Sequence, residues 1–259
     1  MRRRRASSSA EARAYRQRGH DDAREFARAI GLPSDYQNNP LAKKDVIDLS
    51  GDAHTVKSGE KKWQIFLYGL ERFWKDDTFG AMNGIGDTLA ACINSFPPDF
   101  RTYQHNKDAA KERLRRPMRK LAGLLQDKRL LRAFMNAAIF NAGEVNYLTV
   151  KHEGVFHVFL NRDVIRVFND NLEVCNSKAR TADQTPEQKV LFRHNGLNLG
   201  ELEMRNDSAI HYRQIRFNML KPKVMALLFA TLPLTSKYND KVWVYGDASR
   251  RFGRWPKTK

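Results

Sequence analysis

Apolar residues recur along the chain at two spacings, one helical and one alternating. Between residues 10 and 30, Ala23, Phe26, Ala27 and Ile30 step by three, one and three, the spacing of one helical face, and Gly31-Leu32-Pro33 ends the run. Two short extended stretches, residues 45–49 and 53–57, flank Ser50-Gly51 and predict a β-hairpin. Residues 62–74 predict a helix, with Trp63, Phe66, Leu67, Leu70, Phe73 and Trp74 on one broad apolar face. Another short helix is expected after Gly86. Residues 106–126 form a strongly basic helical stretch interrupted by Pro117, and residues 127–140 a second helix capped by Asp127. The second half turns mixed: residues 145–151, 155–160, 189–193 and 199–205 predict strands, 161–168 and 221–229 helices, and 180–188 a polar linker. The expectation is one α/β domain over residues 10–259, with a helical, basic insertion at about 76–141 and a flexible basic arm over residues 1–9.

Composition narrows the class. The 259 residues are 41% hydrophobic, enough to bury a core without cross-links. No run of 18 apolar residues predicts a membrane span, and no apolar run follows the N-terminal arginines as a secretory signal requires. Two cysteines, Cys92 and Cys175, exclude a disulfide framework, a cysteine zinc ribbon and a four-cysteine iron–sulfur cluster. A cytoplasmic location is expected. Forty-six Lys and Arg against 29 Asp and Glu leave a net charge of +17, which makes a polyanion the expected partner. Nucleic acid fits better than an anionic membrane, because no basic helix carries a clean lipid-facing stripe.

The richest chemistry lies between Lys43 and Glu71. If Leu49-Ser50-Gly51 closes the hairpin with Gly51 left-handed, Asp45 lies across from Thr55 and Lys57 follows on the same face. A two- or four-residue loop would swap faces and promote Asp48 or Asp52 instead. A carboxylate beside an ammonium can hold a hard divalent cation next to a water. Thirteen residues separate Lys57 from Glu71, and Gln64, Tyr68, Glu71 and Lys75 step by four, three and four, one polar stripe of the expected helix.

Asp45, Thr55-Val56-Lys57 and Glu71 resemble the site of the PD-(D/E)XK nucleases, in the variant where Ser or Thr replaces the second acid and a Glu on the following helix supplies it. Gln64 to Tyr68 is similar to the QxxxY helix of RecB-type nucleases in that superfamily, and Glu25 sits where many relatives place an accessory acid. Lys44 stands where the family has Pro. The resemblance covers some 30 residues and the helix before them. It implies a restriction-endonuclease-like mixed β-sheet flanked by helices. It implies, too, a Mg2+-dependent, site-specific double-stranded DNA endonuclease like the type II restriction enzymes, acting as a homodimer. Asp45 and Glu71 would bind the metal, Lys57 would position the attacking water, and Gln64 and Glu25 would assist. An exonuclease of the same superfamily and a non-catalytic basic DNA-binding protein are the alternatives.

Further segments bear on DNA. Residues 82–93, with Gly84-Ile85-Gly86, resemble the second half of a helix–hairpin–helix motif, whose glycine turn offers backbone N–H groups to a phosphate. Arg115, Arg116 and Arg119 lead a basic stretch suited to a phosphate backbone. Glu201 and Glu203 share a strand face and, with Asp207, form a rival acidic group. Nearby, Arg205, Asn206, His211, Arg213 and Arg216 are candidates to reach base edges. His152 and His157 are expected to be structural, and His20-Asp21 to cap a helix.

Overall fold

A computed structural model describes residues 9–33, 45–179, 181–206 and 208–255. Of the expected basic arm, residues 1–8 lie outside the described residues, and Ser9 begins a helix; Asp207 also lies outside them. In chain order the elements are α1 (Ser9–Ala29), β1 (Val46–Ile47), β2 (Ala53–Lys57), β3 (Lys62–Tyr68), α2 (Leu70–Lys75), α3 (Asp77–Gly80), α4 (Ile85–Asn94) and α5 (Phe100–His105). Then follow α6 (Lys107–Gln126), α7 (Lys128–Phe140), β4 (Tyr147–His152), β5 (Val155–Leu160), α8 (Asn161–Asn171), β6 (Glu173–Asn176), β7 (Lys189–His194) and β8 (Leu197–Met204). The chain ends with β9 (Ile215–Leu220), α9 (Lys221–Thr231), β10 (Leu234–Asn239), β11 (Val242–Tyr245) and a 3-10 helix, Gly246–Arg250. The fold class is mixed α/β, as expected. No described helix is long and apolar enough to cross a membrane.

Contacts divide the chain into two compact units, residues 1–61, 140–167 and 225–259 in the first and residues 62–139 and 168–224 in the second. The stretch expected as a helical insertion at about 76–141 falls within the second unit except for its last two residues, and that unit begins at Lys62 and includes a sheet of its own.

The first unit is built on a mixed sheet in the order β1-β2-β4-β5-β11-β10. β2 runs parallel to β4 and β11 parallel to β5, whereas β4 and β5 form an antiparallel hairpin. α1 forms because its apolar residues fall on one stripe: Ala23, Phe26 and Ala27, with Ile30 just past its end, are buried in one cluster with Val46, Tyr147, Phe156, Val158 and Val244. Burying a side chain as completely as Phe26 stabilises the unit by about 2–3 kcal/mol. His20 and Asp21 fall inside α1 and not at its cap, because the helix starts eleven residues earlier, at Ser9; Asp21 accepts a hydrogen bond from Gln17.

The second unit holds an antiparallel sheet in the order β3-β9-β8-β7-β6. Phe66, Phe134, Phe192 and Phe217 meet at its centre, with centroids 5.2–6.4 Å apart. The helix expected over residues 62–74 is not formed. Lys62 to Tyr68 is a strand, and only Leu70 to Lys75 is helical. A bulge between Gln64 and Phe66 adds one residue to the alternation, so Trp63 and Phe66 both point inward three residues apart. That spacing imitates a helical face. Trp74, expected on the apolar face, is exposed. α6 also differs from expectation. It runs unbroken through Pro117, with Leu114, Met118, Leu121 and Leu125 buried along one side. Asp127 caps α7 as expected, accepting from the Arg129 and Leu130 N–H groups.

Candidate functional site

The hairpin closes in the expected register. Val46 pairs with His54 and Ile47 with Ala53, the Asp48 N–H donates to the Asp52 carbonyl at 2.9 Å, and Gly51 takes φ +84°. Only a residue tolerant of the left-handed region closes such a loop without strain. Asp45 therefore stands opposite Thr55. Its Oδ2 accepts from the Thr55 hydroxyl at 3.2 Å and from the Val56 N–H at 2.8 Å. Asp45 is exposed and Lys57 half-buried. Lys57 follows Thr55 by two residues and so shares its face.

The other face of β2 holds a polar group that sequence reasoning missed. His54 is fully buried, stacked on Tyr147 with centroids 4.7 Å apart. Its Nε2 lies 3.3 Å from Asp48 Oδ2 and its Nδ1 2.8 Å from Thr149 Oγ1. Burial alone would raise the Asp48 carboxyl, but hydrogen bonds from His54 and Ser50 outweigh it and hold the group below the usual carboxylate range. An ionised Asp48 can only accept, so His54 Nε2 carries the proton and Nδ1 accepts from Thr149. Burial pushes the imidazole pKa down, and Asp48 opposes this only in part. His54 is therefore neutral and structural at pH 7. Asp48 Oδ1 also accepts from the Ser50 N–H, the Ser50 hydroxyl and the Asp52 N–H, which locks the loop. The Asp-x-Ser-Gly-Asp run was the available signal, since Asp and Ser both cap tight turns.

Within the first unit, Glu25 is not brought to Asp45. Glu25 and Asp22 on α1 accept from Lys151 Nζ at 2.6 and 2.7 Å. That ammonium also stands 5.7 Å from the Phe156 ring, in the core that α1 covers, so Glu25 lies on the sheet face opposite Asp45 and Lys57. Gln64 and Glu71 belong to the second unit. Gln64 is exposed on β3, pairing with Asn218 of β9. Glu71, in the first turn of α2, is fully exposed and ion-paired with Lys75, whose ammonium holds its carboxyl below the usual range. The predicted stripe of Gln64, Tyr68, Glu71 and Lys75 does not exist, since its first two members are on a strand. The Glu71–Lys75 step survives as a helical pair.

Within the second unit, β8 presents Glu201 and Glu203 on one face, as expected. All four of their carboxylate oxygens meet cations: Glu201 accepts from Lys62 and Lys189 at 2.8 and 3.0 Å, and Glu203 pairs with Lys189 and Arg216. Burial works to raise the Glu201 carboxyl, yet these ammoniums hold it low; burial works to lower Lys189, yet the two glutamates raise it. A metal would have to displace three cations. Beside them a cleft of about 150 Å3 is lined by Lys189, Arg205, Asn206, Arg216 and the apolar Phe96 and Leu114. Arg216 Nε is buried with no hydrogen-bond partner among the described residues. Three of the predicted base readers thus converge. His211 instead bonds Gln214, and Arg213, at φ +58°, donates to Asn94.

Arg115 and Arg119 both grip Glu187, whereas Arg116 is exposed, with no ion pair among the described residues. Gly84 is the left-handed N-cap of α4, at φ +83°. Gly86 is buried, and a Cβ there would stand 2.8 Å from the Phe79 carbonyl oxygen, so close packing accounts for this glycine.

Among the described residues, no three of His, Cys, Asp or Glu form a ready-made cation cage. Asp45 itself offers a hard oxygen donor of the kind Mg2+ accepts. The first unit is a mixed sheet with a helix packed on it, carrying a carboxylate–hydroxyl–ammonium hairpin, and the second is a sheet-and-helix unit with a cationic cleft. The chain matches no protein-family model, no curated protein and no solved structure.

Proposed function

We propose that the chain is a Mg2+-dependent double-stranded DNA endonuclease resembling the type II restriction enzymes, with Asp45 and Lys57 on its catalytic hairpin. The observation that carries this reading is the hairpin register, which sets the Asp45 carboxylate, the Thr55 hydroxyl and Lys57 on one face. Mg2+ keeps several waters and takes phosphate oxygens, so one or two carboxylates suffice on the protein side. When bound, the ion supplies charge that polarises the scissile phosphate and acidifies a bound water. Thr55 and the Val56 N–H hold Asp45 in place. Lys57 orients the attacking water and offsets the charge on the phosphate. The cleft of Lys189, Arg205, Asn206 and Arg216 grips DNA, and a phosphate or base edge would satisfy the orphaned Arg216 N–H. A homodimer on two-fold-symmetric sites, working in the cytoplasm, belongs to the same reading.

Incubation of circular plasmid with Mg2+ or with EDTA tests it. Discrete fragments are expected with the metal alone. Asp45→Asn and Lys57→Ala each lower cleavage by about 100-fold or more while duplex binding survives. Undiminished cleavage by both variants overturns the site. Digestion that proceeds only from ends, ignoring circles, assigns the exonuclease alternative. The cationic cleft also favours a second reading, a DNA-binding protein without chemistry, which predicts binding and no metal-dependent cutting in any variant.

A further inference from the structure

A second cationic cleft, in the first unit, belongs to none of these roles. It has a volume of about 290 Å3 and is lined by Asn146, Asn161, Arg162, Asp247, Arg250 and Arg251. β5 ends here and α8 begins, while the 3-10 helix Gly246–Arg250 forms the facing wall.

Each guanidinium is held by a carboxylate. Arg162 Nη2 and Arg250 Nε donate to the two oxygens of Asp247 at 3.2 and 3.1 Å, and Arg251 pairs with Asp52. Asp52 is buried, and its second oxygen accepts from the Tyr147 hydroxyl at 3.3 Å. The Asp247 N–H donates to Asp163 Oδ2 at 2.8 Å, and Asp163 is buried in turn. Gly246 makes this seat possible, since a Cβ there would stand 2.8 Å from the same Asp163 oxygen. Asn146 spends its Oδ1 on the Ala53 N–H, which leaves its amide N–H groups as donors at the cleft. The N-terminus of α8 adds its positive dipole end.

Three guanidiniums and one carboxylate, Asp247, line the cleft, with Asp52 and Asp163 buried behind it. Like charges gathered this way repel, and each Arg retains N–H donors beyond the bond to its anchor. Planar donors anchored at one edge match the oxygens of a phosphate, which they bind by short charge-assisted hydrogen bonds.

We propose that this cleft is a phosphate-binding site that takes backbone phosphates of duplex DNA, holding the first unit on its substrate. The DNA part rests on the nucleic-acid reading above; the phosphate chemistry does not.

The test compares the full chain with an Arg162→Gln/Arg250→Gln double variant. Both side chains are well exposed, so the fold tolerates their loss; Arg251→Lys, which keeps the charge beside Asp52, serves as a second variant. Binding of a labelled duplex is followed by anisotropy across a salt series, and binding of inorganic pyrophosphate by calorimetry without DNA. The double variant is expected to bind duplex about tenfold more weakly, and the slope of log K against log salt should shrink by about 2, near 0.9 per lost phosphate contact. Arg251→Lys is expected to weaken binding less. Unchanged duplex binding with lost pyrophosphate binding overturns the DNA assignment and makes free phosphate the ligand. Unchanged binding of both probes by both variants overturns the site altogether. Failure of the unaltered chain to bind duplex at any salt sinks the nucleic-acid reading alone, and the pyrophosphate arm still decides the cleft.

Discussion

His54 shows how one buried side chain ties the hairpin to its sheet. It contacts Phe26, Tyr147 and Phe252 and bonds Asp48 and Thr149, so its removal leaves a cavity and takes from a buried carboxylate the partner of one oxygen. His54→Ala is expected to destabilise the chain by about 3 kcal/mol, read as a lower urea midpoint. The pH dependence follows from the same contacts. The folded pKa of His54 lies below its ordinary value, so the unfolded chain takes up the proton first and stability falls as pH drops below about 6.5. The Asp48 pKa is also depressed, so its contribution is present above the ordinary carboxylate value and is lost as pH falls through the lower folded value. Denaturant titrations between neutral and acid pH should show both steps, and His54→Gln should remove only the upper one. An upper step of equal size in that variant would contradict the assignment. At this scale Asp45, Thr55 and Gly51 were legible, because a short loop and strand alternation are local rules. The anchors of His54 were not, because Thr149 is 95 residues away.

At the level of elements, periodicity succeeded where it was regular and failed where one residue was inserted. The amphipathic stripes of α1, α6 and α7 give their helices directly. β3 misled because its bulge turned a two-residue repeat into a three-residue step. The consequence for the site is direct: with no helix before Leu70, Gln64 and Glu71 cannot share a helical face. Gly86 carries an element-scale prediction. Its close approach to Phe79 holds α4 against α3, so Gly86→Ala should cost about 1–3 kcal/mol and lower the thermal midpoint, though alanine favours helices elsewhere. An unchanged or raised midpoint would show that the Phe79 turn gives way freely.

Charge acts at the scale of the whole molecule. A net +17 is distributed over both units, with clefts rich in Arg or Lys in each. Duplex affinity should therefore fall about 10^3- to 10^5-fold between low and near-physiological salt if 6–10 phosphates are contacted. An anisotropy series measures this, and a flat salt dependence would rule out backbone contact as the source of affinity.

Taken alone, the amino-acid order determined the mixed α/β class, the hairpin and a short choice of registers for it, most helices, and the positive charge that asks for a polyanion. Those follow from spacing, turn chemistry and counting, all of which act over a few residues or over none in particular. Tertiary structure alone decided which carboxylates are occupied. Glu25 is engaged by Lys151, and Glu201 and Glu203 by Lys62, Lys189 and Arg216. It alone brought Arg162 to the adjacent pair Arg250 and Arg251, distant in sequence, around one cleft. Ion pairs form between side chains brought together by strand pairing and helix packing, and no local pattern encodes which distant partner will arrive.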